Sequence, residues 1–161
     1  MGLRDIRRFV EIVERLLTRW GYSHTDAKVY AYLLLSEEPL TINDLAELTN
    51  LSRSSISVSL SKLTRDYMVS VRKVGKTKYF SPIPAFLEKF LEQPREMLEK
   101  EVLPLEAIVE KLLEEAESEE YREKLFGILK DLKNLQCVLE EIIKIETEKL
   151  QCLKGEGPSK G

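Results

Sequence analysis

Residues 41–81, TINDLAELTNLSRSSISVSLSKLTRDYMVSVRKVGKTKYFS, decide the fold. Thr41 and Asp44 have the spacing of a capping box, in which each side chain hydrogen-bonds the backbone of the other, and a short apolar stripe follows them. This pattern predicts a helix over 42–49. Ser52 is a preferred N-cap residue, and beyond it apolar residues recur at helical spacing: Ile56, Leu60 and Leu63. A second helix is therefore predicted to begin directly after Ser52.

A β-hairpin is predicted to follow this second helix. Residues 69–74 are rich in β-branched side chains that partly alternate with polar ones, and residues 77–81 continue that character after Gly75 and Lys76. Glycine is well suited to a two-residue hairpin turn, because it adopts positive φ without steric cost. The hairpin carries four cations: Arg72, Lys73, Lys76 and Lys78.

The face of the second helix that lies opposite its apolar stripe is small, polar or cationic. At 100° per residue it contains Ser54, Ser55, Val58, Ser61, Lys62 and Arg65. A helix enters the major groove of DNA, about 12 Å wide, only if slim side chains let its backbone approach. Serine hydroxyls can hydrogen-bond base edges or phosphates, and Val58 matches a thymine methyl group. The pattern therefore predicts a DNA-reading helix.

Charge is distributed unevenly along the chain. The 161 residues contain 25 Lys and Arg against 28 Asp and Glu, so the net charge is −3. Residues 51–81, however, contain seven basic residues and one acidic residue, so this segment carries +6 and the rest of the chain carries −9. The cationic segment coincides with the predicted helix and hairpin, which favours a polyanionic partner.

Two more helices are predicted before residue 41. Apolar residues recur every three or four positions over 3–20, and Gly21 can adopt the left-handed conformation that ends a helix. Ser23 begins a second capping box ahead of a helix over about 24–36.

The residues after 83 predict a helical region of another kind. An apolar helix is expected as far as Pro94, and Pro104 is expected to kink or break the next one. A seam typical of a coiled coil then follows, with alternate spacings of four and three: Tyr121, Leu125, Ile128, Leu132, Leu135, Leu139 and Ile142. The seam must be buried against the chain's own helices or against a second copy, and we favour a second copy.

Four segments follow from these patterns. They are an N-terminal dimerisation helix (1–20), a DNA-binding domain (21–83), a helical dimerisation region (84–153) and a disordered tail (154–161). The dimer contacts are predicted to be Phe9, Val13, Leu16, Leu125, Ile128, Leu132, Leu135, Leu139 and Ile142.

Several functional classes are excluded by the composition. No apolar run approaches the ~20 residues that cross a bilayer, so we expect neither a membrane span nor a signal peptide. The chain has one histidine, His24, which is expected on the surface, and it has no phosphate-cradling glycine loop or nucleophile motif. We therefore expect no enzyme, no cofactor and no metal site. Cys137 and Cys152 match neither a disulfide framework nor a zinc site, so they are interpreted as small core residues of a cytoplasmic protein.

Four aromatic residues cluster near the junction of the first two helices: Trp20, Tyr22, Tyr30 and Tyr32. They are interpreted as core and interface residues. The alternative is that they line a pocket for a small-molecule effector.

The order of these elements is that of a winged helix-turn-helix. The segments LTINDLAELTNLSRSSISVSLSKL and VRKVGKTKYF resemble the winged-helix domain of the MarR superfamily, and within it the GbsR-like branch that includes archaeal regulators. The resemblance covers residues 21–81. It implies a mainly α fold with a small β-hairpin wing, flanked by N- and C-terminal dimerisation helices. Two positions depart from the pattern, because Tyr67 and Met68 stand where a glycine usually follows the recognition helix and Thr77 stands where an arginine is common.

The resemblance implies a homodimeric transcriptional regulator of double-stranded DNA, commonly a repressor. The recognition-helix contacts are predicted to be Ser52, Arg53, Ser54, Ser55, Ser57, Val58, Ser61, Lys62 and Arg65. The wing contacts are predicted to be Arg72, Lys73, Lys76 and Lys78. Any small-molecule effector stays unidentified at this level.

Two other functions remain open. The domain fits a winged-helix module that binds another protein, with the coiled coil as a scaffold. It also fits an architectural protein that coats DNA without choice of sequence.

Overall fold

The computed structural model describes residues 2–145 and 147–153 of the chain, so the predicted disordered tail over 154–161 lies outside the described residues. Its elements are α1 (Leu3–Arg19), α2 (His24–Leu35), α3 (Ile42–Thr49), α4 (Arg53–Arg65), β1 (Val69–Val74), β2 (Thr77–Pro82), α5 (Phe86–Met97), a π-helical turn (Leu98–Val102), α6 (Leu103–Glu115), α7 (Glu119–Ile143) and a 3-10 turn (Thr147–Lys149). This mainly helical fold with one hairpin confirms the predicted fold class. The chain divides into two compact units, residues 1–89 and 90–161.

The predicted caps define the helices of the first unit. Ser23 and Thr41 both form complete capping boxes, at the starts of α2 and α3. The side chain of Ser52 accepts a hydrogen bond from the backbone N–H of Ser55 and so begins α4. Gly21, with φ of +89°, ends α1 as its position in the sequence predicted.

Tyr67 ends α4 in the left-handed conformation, with φ of +59°. The backbone N–H of Met68 donates to the carbonyl of Leu63 at 2.9 Å, and that of Tyr67 donates to the carbonyl of Thr64 at 3.2 Å. These two bonds form a Schellman motif, whose left-handed residue is usually glycine. The departure noted in the sequence is therefore a tyrosine held in a conformation that glycine adopts more easily.

The core of the first unit is built by all four of its first helices and the hairpin. Its fully buried side chains include Leu17 of α1, Tyr30 of α2, Leu45 of α3 and Ile56 of α4. The first helix therefore packs onto the winged-helix core, and Val13, one of the predicted dimer contacts, is only 4% exposed within this unit.

Tyr30 belongs to this core rather than to an open pocket. Its ring has no exposed surface, its hydroxyl donates to the carbonyl of Ile83 at 2.7 Å, and it accepts from the backbone N–H of Ala85 at 3.2 Å. The interpretation of Tyr30 as a core residue is thereby confirmed. It ties α2 to the segment that follows the hairpin.

The hairpin is antiparallel, with Val69 opposite Pro82 and Val74 opposite Thr77. Phe80 of β2 also exchanges two backbone hydrogen bonds with Leu40, at 2.8 and 2.9 Å, in an isolated bridge. The pairing of Leu40 with the hairpin was not predicted, because a single bridging residue leaves no alternating pattern in the sequence.

The second unit contains most of α5, then α6 and α7. The prediction that the first of these helices stops at Pro94 is wrong, since α5 runs through Pro94 to Met97. The proline ring removes one backbone donor, and the neighbouring hydrogen bonds of the turn maintain the helix. At Pro104, where a kink or a break was predicted, the helical hydrogen bonding changes but the helix is not interrupted. A π-helical turn precedes Pro104, which lies in the first turn of α6, and the backbone stays helical at Met97 and Leu103.

Helices α6 and α7 pack against each other around Val109, Leu113 and Leu125. Lys133 of α7 lies 2.6 Å from the buried carboxylate of Glu106 on α6, and this hydrogen bond raises the pKa of the Lys133 ammonium. The own-chain alternative for the predicted seam is therefore correct for part of it.

The seam of α7 is divided into a covered and an open half. Leu125 and Leu139 are buried and Leu132 is half-buried. The four other members, separated by seven residues, are open to solvent within the unit: Tyr121 (44% exposed), Ile128 (43%), Leu135 (40%) and Ile142 (38%).

The two cysteines, Cys137 and Cys152, are both exposed. The interpretation of these cysteines as small core residues is therefore wrong. Cys137 is two residues before the buried Leu139, and two residues along a helix rotate a side chain by about 200°, which turns it outward. No helix in the described part of the chain is long and apolar enough to cross a membrane.

Candidate nucleic-acid interface

The candidate surface consists of one face of α4 and the hairpin β1–β2. Ile56, Leu60 and Leu63 point into the core of the first unit, as their spacing predicted. The predicted contact residues on the other sides of α4 are exposed: Arg53, Ser54, Ser55, Ser57, Val58, Ser61 and Arg65. Val58 is 71% exposed. Exposure of its isopropyl group to water is unfavourable, and contact with an apolar surface of a ligand would remove that exposure.

The N-terminus of α4 is electropositive and carries a cluster of hydroxyl groups. Ser52 accepts from the backbone of Ser55 at 3.2 Å and lies 2.9 Å from the Ser55 hydroxyl and 3.3 Å from the Ser54 hydroxyl. The first turn contains no acidic residue and begins with Arg53. Unpaired backbone N–H groups and the helix dipole therefore attract an anion here without competition from a carboxylate in that turn.

The four cations of the hairpin are all exposed. Lys73 lies directly opposite Lys78 in the register, and Arg72 lies opposite Tyr79. Because successive residues of a strand alternate between faces, Lys73 and Lys78 share the face of Phe80, which packs on the core, and Arg72 points to the other face. The cations of the hairpin therefore surround its tip rather than forming a single row.

A groove of about 420 Å³ joins the hairpin to α4. Its floor includes Leu60 and Phe80, and its polar side chains are Ser57, Ser61, Thr64, Arg65 and Lys78. A second groove, of about 320 Å³, brings Lys73, Lys76 and Lys78 beside Thr41 and Asn43 at the start of α3. Arg65 and the wing lysines thus border two grooves that share Lys78 and that also contain hydroxyl and amide groups. Thr41, Asn43 and Thr64 were missed by sequence reasoning, because they lie at helix starts and ends rather than on the polar face.

Lys62 differs from the other predicted contacts. Its Nζ atom lies 3.2 Å from the Oδ2 atom of Asp26, and its side chain is 35% exposed. Asp26 is only 5% exposed and also accepts from the Ser59 hydroxyl at 2.7 Å and from the Ser23 backbone at 3.1 Å. Burial alone would raise the pKa of the Asp26 carboxyl, but the hydrogen bonds from Ser59, Ser23 and Lys62 outweigh burial and hold the pKa below its ordinary value of 3.8.

Tyr22 extends this network to the end of α4. The Lys62 ammonium lies 4.8 Å from the centre of the Tyr22 ring, a cation–π distance, and the Tyr22 hydroxyl donates to Asp66 at 2.8 Å. Arg65 is 73% exposed and its Nε lies 3.7 Å from Asp66, so it remains open to other partners. Ser59, Tyr22 and Asp66 were not predicted as members of the site, since their pairings join residues 33 to 44 positions apart.

Residues 17–85 match the family model described as the sugar-specific transcriptional regulator TrmB. The matched segment contains α2 to α4 and the whole hairpin. No curated protein of similar sequence was found.

Solved structures with the same fold include one described as a transcriptional regulator, with a TM-score of 0.55 and 21% identity over 86% of this chain and 95% of that chain. MepR, a transcription regulator of the Staphylococcus aureus multidrug efflux pump MepA, aligns with a TM-score of 0.41 and 15% identity over 81% of this chain and 92% of its own. A MarR/EmrR family transcriptional regulator from Acinetobacter sp. ADP1 aligns with a TM-score of 0.39 and 18% identity over 80% and 85%.

These comparisons confirm the predicted resemblance to winged-helix transcriptional regulators, which are not enzymes. The narrower assignment to the GbsR-like branch stays a prediction.

Proposed function

We propose that this winged-helix protein of the MarR superfamily is a homodimeric regulator of transcription that binds double-stranded DNA sequence-specifically. The recognition helix, α4, enters the major groove, and the wing, β1–β2, lies along the phosphate backbone. Arg53 and Arg65 contact phosphates at the two ends of α4, while Ser54, Ser55, Val58 and Ser61 face base edges.

The observation that carries this proposal is the coincidence of charge and shape on one part of the first unit. The +6 segment, residues 51–81, presents a slim helix face whose N-terminus has no acid in its first turn. One groove joins that face to Lys78 of the wing, and a second places Lys73, Lys76 and Lys78 beside the start of α3. Because the rest of the chain carries −9, the other surfaces repel DNA and leave this one to bind it.

The open half of the α7 seam supports the homodimer. Ile128, Leu135 and Ile142 recur every seven residues, the spacing that buries side chains between two long helices. A second copy of α7 offers the matching stripe in a symmetric interface. In such a dimer the two recognition helices occupy successive major grooves, about one helical turn apart on a near-palindromic site.

Repression is the sign of regulation that we propose, because a dimer seated on a promoter excludes other proteins from it. The effector remains unidentified in this proposal, since the family match covers the DNA-binding segment alone. An effector would act by binding one arrangement of the dimer better than another and so changing the spacing of the recognition helices. A regulator of this kind works beside the chromosome, in the cytoplasm.

Selection of bound sequences from random duplex DNA tests the proposal. We expect an enriched near-palindrome whose half-sites are about 10 base pairs apart. With about three to five phosphates neutralised by each subunit, log K should fall against log salt with a slope of about −5 to −9 for the dimer.

The same experiment separates the alternative functions. An architectural protein binds the pool without enrichment, and a protein-binding module retains no DNA even at low salt. Either result would refute sequence-specific regulation.

A further inference from the structure

The network around Asp26 fixes α4 along one flank. Ser59 and Lys62 are one helical turn apart and both bind the Asp26 carboxylate, and Asp66, one turn further, accepts from Tyr22. At 100° per residue these three positions lie between the buried face of α4 and its exposed face. Contacts at three successive turns determine how α4 is rotated about its own axis.

The Lys62 ammonium already has two ligands inside the protein. It is bound to a carboxylate that is 5% exposed and is stacked on the Tyr22 ring. To reach a phosphate it would have to leave a buried carboxylate with one cation fewer, which is strongly unfavourable. Arg53 of α4 and three wing cations, Lys73, Lys76 and Lys78, face no such competition, because they form no ion pair in the described part of the chain.

We infer that Lys62 is a positioning residue, which acts through Asp26 to set the rotation of the recognition helix and does not neutralise a DNA phosphate. This inference rests on the proposed DNA-binding function, and it revises the predicted contact set at one position. A small rotation of α4 changes which side chains meet base edges while the phosphate contacts from the wing remain. Loss of the Asp26–Lys62 pair should therefore reduce the choice of sequence more than it reduces general affinity for DNA.

The salt dependence of binding distinguishes a positioning residue from a phosphate ligand. Each lost cation that neutralises a phosphate should make the slope of log K against log salt shallower by about 0.9, so one substitution, present in both subunits of the dimer, should change the slope by about 1.8. The test compares Lys62→Met, which retains an unbranched stem, with Lys78→Met on the wing, using the preferred duplex from random selection and a shuffled duplex.

We expect Lys78→Met to make the slope shallower and to weaken both duplexes by a similar factor. Lys62→Met should leave the slope unchanged and lower the ratio of preferred to shuffled affinity about tenfold. The inference is overturned if Lys62→Met changes the slope as Lys78→Met does, or if it changes neither the slope nor the ratio.

A double-mutant cycle tests the interaction between Asp26 and Lys62 without DNA. Its result can therefore be interpreted even if the protein does not bind DNA. Thermal unfolding is followed for the wild type, Asp26→Asn, Lys62→Met and the double variant. We expect the double variant to melt within about 2 °C of Asp26→Asn, because the second change removes a partner that is already lost. Additive losses of melting temperature would show that the two side chains act independently and would overturn the inference. If the wild-type protein does not bind DNA but the cycle is non-additive, the proposed function fails and the Asp26–Lys62 link stands.

Should Lys62→Met not fold, Lys62→Arg replaces it. Arginine retains the charge, the donors and the stacking on Tyr22, so it should keep more of the sequence preference than Asp26→Asn does. An equal loss of preference in Lys62→Arg and Asp26→Asn would overturn the inference.

Discussion

Lys73 of β1 lies directly opposite Lys78 of β2, and neither forms an ion pair in the described part of the chain. Like charges at opposed positions of an antiparallel pair destabilise it by up to about 1 kcal/mol. The wing thus holds two cations together at a cost to its own stability. A DNA phosphate bound between the two ammonium groups would relieve this repulsion. The arrangement therefore favours binding of the phosphate backbone by the wing.

The first prediction concerns this pair. Lys78→Gln should raise the free energy of unfolding of the first unit by about 0.5 kcal/mol at low salt, because it removes the repulsion, while it weakens DNA binding. Denaturant unfolding followed by Trp20 fluorescence measures the first effect, and anisotropy of a labelled duplex measures the second. Lys111→Gln, at an exposed position of α6, is the matched control and should change neither. Unaltered DNA affinity in Lys78→Gln would contradict the role of the wing.

The second prediction concerns Val58 on the exposed face of α4. Val58→Ala should change the preferred base at one position of each half-site by about 1 kcal/mol, because it removes the methyl groups that meet a thymine methyl. Random-sequence selection with both proteins measures the change. Lys76→Gln serves as the contrast, since it should weaken all sequences equally and leave the selected motif intact. An identical motif from Val58→Ala would exclude this residue from base contact.

Local signals explain which parts of the site were predictable. Thr41 and Ser52 begin helices through hydrogen bonds to residues three positions away, so the sequence alone predicts α3 and α4 well. The partners of Lys62 depend on a contact 36 residues away, which no local pattern reports. Lys62 was therefore predicted as a DNA contact from its place on the polar face, and only the fold shows the buried carboxylate beside it. The exposure of Cys137 was missed for a related reason. The apolar pattern of α7 shows which residues form the seam, but it does not show which side of the helix other helices cover.

A third prediction concerns the backbone of Tyr67. A non-glycine residue in the left-handed region costs about 1 kcal/mol, and the Tyr67 side chain is 75% exposed, so it recovers little by burial. Tyr67→Gly should therefore raise the free energy of unfolding by about 0.5 kcal/mol, the remainder being lost to the greater freedom of glycine in the unfolded chain. Tyr67→Ala is the control, because alanine keeps the left-handed cost and should not stabilise. Stabilisation by alanine equal to that by glycine would show that the side chain, not the backbone, is the cause.

The lowered pKa of Asp26 gives a fourth prediction, on pH. A carboxyl whose pKa is lower in the folded state than in the unfolded state contributes stability above the unfolded value of 3.8, and loses it as pH falls through the folded value. Asp26→Asn should therefore be less stable than the wild type by about 2 kcal/mol between pH 5 and 8, a typical size for hydrogen bonds to a charged group. The difference should shrink steadily below pH 4. Urea unfolding at a series of pH values measures it, and a gap that stays constant to pH 3 would contradict this account of Asp26.

The last prediction concerns the open half of the α7 seam and the oligomeric state. Leu135 is 40% exposed in the single chain and lies between Ile128 and Ile142 in the open stripe. A carboxylate buried in an apolar interface without a partner is costly, so Leu135→Asp should convert a dimer into a monomer at micromolar concentration. Light scattering after size-exclusion chromatography measures the mass. Phe126→Asp is the matched control, because Phe126 is 55% exposed but lies on the opposite side of α7, about 180° away, and its variant should stay dimeric. A monomeric Phe126→Asp with a dimeric Leu135→Asp would place the interface on the other face of the helix. A monomeric Leu135→Asp should also bind the two-half-site duplex far more weakly than the wild type, since each recognition helix would then act alone.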